Sequence, residues 1–206
     1  MFRISYDGPP DVHDALRGPN AYAVMEEAID AVLANGNRVV LNATISSSNV
    51  HRVVELVEYA VKRNLPIKFQ PVFDGLAYGK DVRGQVPDRD SFREAVRYLA
   101  EEKKKNPLVI NSEPNMEYYT AHPAPPFVPC VSGVLYVRID PQGMLFPCSI
   151  MLDDHLKRDA VAEGFAAAFQ NMPRVHCTDC MCPQTLEMNY LFDMNLRSLK
   201  NLPKLF

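Results

Sequence analysis

Three times between Phe2 and Lys105, a short apolar run is followed by an amphipathic helical pattern, and this alternation constrains the fold more than any other feature of the chain. Phe2–Tyr6 (FRISY) reads as a strand, stopped by Asp7, Gly8, Pro9 and Pro10. A short helix is expected over 11–16. Ala21, Val24, Met25, Ala28, Ile29, Val32 and Leu33 then recur at helical spacing up to Asn35-Gly36. Arg38–Ile45 (RVVLNATI) is the second strand, and its continuously apolar start suits a strand covered on both faces. Ser46–Asn49 offers capping residues. A helix follows with Val50, Val53, Val54, Val57, Ala60 and Val61 on one side, closed by Asn64 and Pro66. Ile67–Phe73 is the third strand, 88–105 the third helix with Asp88 or Asp90 as its cap, and Pro107–Ile110 a weaker strand or extended segment. Strand–helix alternation of this kind implies a parallel sheet, in which ligands gather at the C-terminal ends of the strands. All three strands are polar there, at Ser5 to Asp7, at Asn42 and Thr44, and at Gln70.

Beyond His122 the pattern changes. Pro123, Pro125, Pro126 and Pro129 mark an extended linker. Gly133–Asp140, a turn at Pro141-Gln142-Gly143 and Met144–Phe146 read as a β-hairpin. Helices are expected over 160–172 and 183–195.

All five cysteines of the 206 residues lie after position 129. The odd count and the clustering argue against a secreted disulfide framework and for metal. Cys130 and Cys148 bracket the hairpin, whose turn can bring its two ends together. Cys177 and Cys180 form a C-x-x-C pair, in which one tight turn aims two sulfurs at one metal. Zinc and an iron–sulfur cluster both accept four thiolates, so ligand number leaves them open. Cys182 is a spare, able to replace Cys180 or to stand as a simple neighbour. His176 suits a surface or supporting role, since four cysteines already fill a site.

The bulk properties exclude other classes. Apolar residues make up 47%, enough for a core without staples, and a net charge of −3 recruits neither nucleic acid nor an anionic membrane. The Lys103–Lys105 run reads as a solvated helix end. No apolar stretch approaches the roughly 18 residues of a membrane span, and residues 1–8 lack a signal-peptide pattern, so a cytoplasmic protein is expected.

The segments Ser5-Tyr6-Asp7-Gly8-Pro9, His13-Asp14 and Arg17-Gly18 resemble the fourth-strand region of radical S-adenosylmethionine enzymes. Asn42-Ala43-Thr44-Ile45 and Asn49 continue the likeness. Cys130-x12-Gly143-x4-Cys148 with Cys177-x2-Cys180 resembles the twitch form of the SPASM extension, which holds one auxiliary [4Fe–4S] cluster. The resemblance implies an α/β fold comprising the last three βα units of a six-unit partial barrel over 1–121, then a hairpin-plus-helix extension over 122–206. It implies metal ligation by Cys130, Cys148, Cys177 and Cys180, and S-adenosylmethionine or substrate contacts by Ser5, Asp7, Arg17, Asn42 and Gln70. Of these, Ser5 would approach the ribose or methionine end and Arg17 would pair with the carboxylate. It further implies a peptide or small-molecule substrate and a reductant protein such as flavodoxin or ferredoxin.

The family's C-x-x-x-C-x-x-C motif and its glycine-rich methionine-binding motif are absent from these 206 residues. The expectation is therefore the C-terminal portion of a radical enzyme, inactive by itself, that self-associates through exposed sheet edges. The alternatives are a stand-alone iron–sulfur electron-transfer or binding module and a zinc-stabilised structural domain.

Overall fold

The computed structural model describes residues 1–206 except 73–75, 78–79, 82, 123, 149, 151–153, 176–179, 202 and 204–206. The chain begins with β1 (Phe2–Ser5), α1 (Pro10–Arg17), α2 (Ala21–Ala34) and β2 (Val39–Ile45). It continues through α3 (Val53–Arg63), β3 (Ile67–Pro71), β4 (Leu76–Ala77), β5 (Lys80–Asp81), α4 (Arg89–Lys105) and α5 (Glu113–Ala121). The C-terminal part holds β6 (Arg138–Ile139), β7 (Met144–Phe146), β8 (Arg158–Asp159), α6 (Ala160–Glu163), α7 (Phe165–Gln170), α8 (Pro183–Phe192) and α9 (Leu196–Leu199).

The first three strands form the parallel sheet that the alternation requires, in the order β1-β2-β3. Side chains of a strand alternate between faces. Leu41, Ala43, Ile45, Ile67 and Phe69 face outward into a core closed by Met25 and Ile29 of α2, Leu56, Val57 and Ala60 of α3, and Val96 and Leu99 of α4. Arg3, Ser5, Val40, Asn42, Thr44, Lys68 and Gln70 take the opposite, inner face, with Ser5, Asn42 and Lys68 in one register row and Thr44 beside Gln70 in the next. Local capping signals hold as well. Asp88 caps α4 by accepting the Asp90 and Ser91 N–H groups, and Asn64 ends α3 in the left-handed conformation at φ 52°.

Four expectations are corrected. The segment 107–110 contributes one bridge, Val109 to Ile67, rather than a strand. Asn111 then takes over. Its side-chain amide accepts from the Phe69 N–H and donates to the Phe69 carbonyl, both at 2.8 Å, so one side chain does the work of a further strand residue. The outer edge of β3 is thereby occupied at this point. The segment 160–172 is two short helices, because Gly164 breaks the run at φ 80°. Strand β8 adds a third member to the hairpin, which itself pairs only over Arg138–Ile139 and Leu145–Phe146. Helix α5 stands where the apolar pattern predicts no helix, though Ser112 caps it by accepting the Asn115 N–H and Pro114 occupies its first turn.

The hairpin turn depends on its glycine. Asp140 accepts through its side chain from the Gln142 and Met144 N–H groups, and Gly143 follows at φ 83°. A Cβ at that position would lie 2.5 Å from Val161 Cγ2, so both backbone conformation and space demand glycine.

Helix α8 ties the C-terminal part to the sheet unit. Leu186 and Tyr190 join the large core, Glu187 accepts the Ser112 N–H, Asn189 accepts the Val131 N–H, and Tyr190 donates to the Pro114 carbonyl. No helix among the described residues is long and apolar enough to cross a membrane.

Candidate functional site

Two groups of predicted residues come together, one at the strand ends and one beside α8. At the strand ends Asp7 is the centre. It is 2% exposed, and its carboxylate accepts from Arg17 Nε at 2.6 Å and from the Thr44 N–H at 2.9 Å. Its carbonyl accepts from Asn49 Nδ2 at 2.8 Å, and the same amide donates to the Thr44 carbonyl. Its own N–H donates to His13 Nδ1 at 3.2 Å. Burial lowers the His13 pKa, with the Asp7 carboxylate opposing it, and accepting through Nδ1 also calls for the neutral ring. Asp7 thus clamps the end of β1 to the end of β2.

Arg17 reaches this clamp from the last turn of α1. Its side chain is 42% exposed, so Nε is fixed by Asp7 while the remainder of the guanidinium lies toward the surface. On the inner face Gln70 Nε2 donates to Thr44 Oγ1 at 3.2 Å. Ser5, Asn42 and Gln70 are each partly exposed along this face.

The second group surrounds a cavity of about 30 Å³. Cys130, Cys148 and Cys180 line it, together with Tyr118 of α5 and Thr185, Leu186 and Asn189 of α8. Polar contacts hold two of these cysteines, among them the Cys180 thiol donating to the Cys182 carbonyl at 3.8 Å. The Ile150 N–H donates to Cys148 Sγ at 3.4 Å, and the Cys180 N–H donates to Tyr118 Oη at 2.7 Å. Ser132 Oγ donates to Tyr136 Oη, which donates to Thr185 Oγ1 and so pins the linker to α8. Burial pushes the Tyr136 phenol up to about 12, with Cys130 and Cys148 adding to the rise. Burial likewise drives the Cys180 thiol well up, and the neighbouring Cys182, Cys148 and Cys130 push it further. A buried thiolate loses hydration and is repelled by a like neighbour, so a cation would favour ionisation of Cys180.

Cys177 and His176 lie outside the described residues. Among the described residues, the four cysteines are free thiols and no set of three or more His, Cys, Asp or Glu side chains stands ready to hold a metal ion. Three thiols share a cavity wall without converging on one point. The spare Cys182 precedes α8, where its carbonyl accepts from the Leu186 N–H, and it is not among the residues lining the cavity. The cysteine pattern gives no hint of Tyr118, Tyr136, Thr185 or Asn189. The signals that point toward them are a capped helix at Ser112 and a polar stripe on the helix after Pro183.

No family model matches the sequence, and no curated protein matches it. Solved structures do resemble the fold. Native anSMEcpe with bound AdoMet matches with a TM-score of 0.57 at 12% identity, over 91% of this chain and 49% of that one. Hexahistidine-tagged anSMEcpe with bound AdoMet matches at 0.56, and native anSMEcpe with bound AdoMet and Kp18Cys peptide at 0.52, with the same coverage and identity. The chain therefore has an α/β fold similar to part of anSMEcpe, and it spans about half of that protein's length.

Proposed function

We propose that the chain is the C-terminal portion of a radical S-adenosylmethionine enzyme that modifies a peptide or small molecule. Residues 1–121 would supply half of the cofactor and substrate pocket, and residues 122–206 would carry an auxiliary [4Fe–4S] cluster on Cys130, Cys148, Cys177 and Cys180. The observation that carries this reading is the arrival of Cys130, Cys148 and Cys180 at one cavity, from three separate stretches of chain, inside a fold similar to half of anSMEcpe. The donor set fits such a group in kind, since these are soft thiolate donors and an N–H already points at one sulfur. Bound there, the cluster would supply one-electron chemistry or a ligation point for substrate. A flavodoxin- or ferredoxin-type protein would supply the electrons.

On the sheet, Ser5, Asn42 and Gln70 would present hydrogen-bonding groups to the bound molecule. Arg17 would meet its carboxylate, and Asp7, already engaged on both oxygens, would hold Arg17 and the strand ends in place. The outer edge of β1 is the edge available for pairing with a further strand.

A zinc-stabilised domain is the second reading, because the same cysteine thiolates would suit a tetrahedral zinc ion. Anaerobic purification with iron and sulfide supplied decides between them. About four irons and four acid-labile sulfides per chain, lost in Cys130→Ala and Cys180→Ala, are expected for the cluster. Colourless protein with one zinc per chain defeats the cluster assignment.

A further inference from the structure

Strand β1 is an edge of the parallel sheet, and among the described residues no strand pairs with its outer side. The side toward β2 is fixed. The Phe2 N–H donates to the Arg38 carbonyl at 2.7 Å, and the Tyr6 N–H to the Asn42 carbonyl at 3.0 Å. Alternate residues of a strand direct their backbone groups the same way, so Phe2, Ile4 and Tyr6 bond toward β2 while Arg3 and Ser5 turn their N–H and C=O groups outward. Such an edge is a template for another strand. Helix α2 adds an apolar wall above it. Met25 and Ile29 point into the core, and Glu26 and Asp30 meet Tyr59 and Arg63 of α3. At about 3.6 residues per turn, Val24, Ala28 and Ala31 fall on the side turned away from α3, over the outer edge of β1. Val24 is 57% exposed, and Ala28 and Ala31 are exposed as well. Phe2, 49% exposed, continues this surface onto the strand. A surface helix ordinarily buries one apolar stripe and turns polar residues to water, whereas α2 carries a second apolar stripe beside an unpaired edge.

This surface is complementary to itself. With two copies of β1 antiparallel and Ile4 on the two-fold axis, Arg3 of each copy stands opposite Ser5 of the other, and every outward N–H and C=O of these residues finds a partner. An axis at Arg3 would instead set two guanidinium side chains against each other, which a sheet disfavours. Helix α2 lies over β1 and β2. Joining the sheets at a strand spacing of about 4.8 Å therefore brings the two copies of α2 about two strand spacings apart, roughly the 8–10 Å at which helices pack. Alanines at the contact permit that approach. We propose that β1 and α2 form the interface of a two-fold symmetric dimer of this chain, in which β1 pairs antiparallel with β1 of a second copy about Ile4 and the stripes Val24, Ala28 and Ala31 pack across the same axis. The surface gives the expected self-association a place and a register, whatever the cysteines hold.

Sedimentation equilibrium of the 206-residue chain over a dilution series should give a reversible dimer of twice the chain mass. Val24→Glu should weaken it about tenfold or more, because like charges then meet across the axis. Arg3→Pro should weaken it too, since it removes an N–H that points away from β2 and leaves the sheet within each copy intact. Backbone amide spectra confirm that each variant is folded. Oxidised Ile4→Cys should yield a cross-linked dimer that peptide mapping assigns to residue 4 of both copies, because a non-hydrogen-bonded antiparallel pair holds its Cα atoms about 4.5 Å apart, within disulfide reach. Phe2→Cys should not link to itself. A monomer at every concentration overturns the proposal. So does a dimer of undiminished strength in folded Val24→Glu and Arg3→Pro, which places the contact on another face. Self-linking of Phe2→Cys without that of Ile4→Cys overturns the register. None of these outcomes depends on iron or zinc in the same samples, so the dimer and the cluster stand or fall separately.

Discussion

In the sheet unit, strands β2 and β3 and helices α2 to α4 bury apolar side chains together: Ile29, Leu41, Leu56, Ile67 and Leu99 are all fully enclosed in one core. Around the hairpin, Leu145, Ala168 and Met172 form a small buried cluster among the described residues, while Val161 is 78% and Phe165 57% exposed. The sheet unit is held by apolar burial at about 25 cal/mol per Å², which needs no ligand. The hairpin region has less of that and lies next to the cysteine cavity, so on the proposed reading a bound metal would supply the missing part of its stability.

The contrast breaks most sharply on metal removal. Chelation should strip backbone protection from 144–146 and 165–170 while 39–45 and 53–63 stay protected, read by hydrogen exchange. Loss of protection in both regions together would show one cooperative unit and erase the distinction. Next in size, Leu56→Ala should cost about 2–5 kcal/mol of global stability in urea denaturation. Leu145→Ala should instead lower metal retention and leave the main transition within about 1 kcal/mol. Asp7→Ala should cost about 2–3 kcal/mol, because the Thr44 N–H loses its partner and Arg17 its anchor, and Asp7→Asn should restore part of it. The smallest effect concerns His13. Its folded pKa is depressed, so the unfolded chain binds the proton first, and the stability from neutral His13 is present above about 6.5 and lost as pH falls below it. Urea midpoints measured from pH 7.5 to 5 should fall in wild type and fall less in His13→Asn, whose side-chain oxygen can still accept the Asp7 N–H.

Legibility differs between the same two regions. Every helix and strand of the sheet unit up to β3 is readable, because covering a strand on both faces and a helix on one leaves periodicity in the residues themselves. Asn111 is unreadable, since a side chain completing a sheet edge has no local pattern. Helix α5 escapes because Pro114 and two adjacent tyrosines mask a cap that Ser112 states plainly. In the hairpin region the turn at Gly143 is legible, through a residue that must adopt positive φ, and Gly164 marks its break in the same way, whereas the strand β8 leaves no comparable mark.

The residues alone determined the parallel sheet, its polar strand ends and the recruitment of cysteines from three stretches of chain, because strand and helix periods and turn glycines act over a few residues. Only tertiary structure decided that Asp7 clamps two strands and holds Arg17, that Tyr118, Thr185 and Asn189 wall the cysteine cavity with Tyr136 bonded beside them, and that Glu187 stands buried with one carboxyl oxygen unmet. Those depend on contacts between residues far apart in the chain, and no local pattern records which distant side chain will meet which.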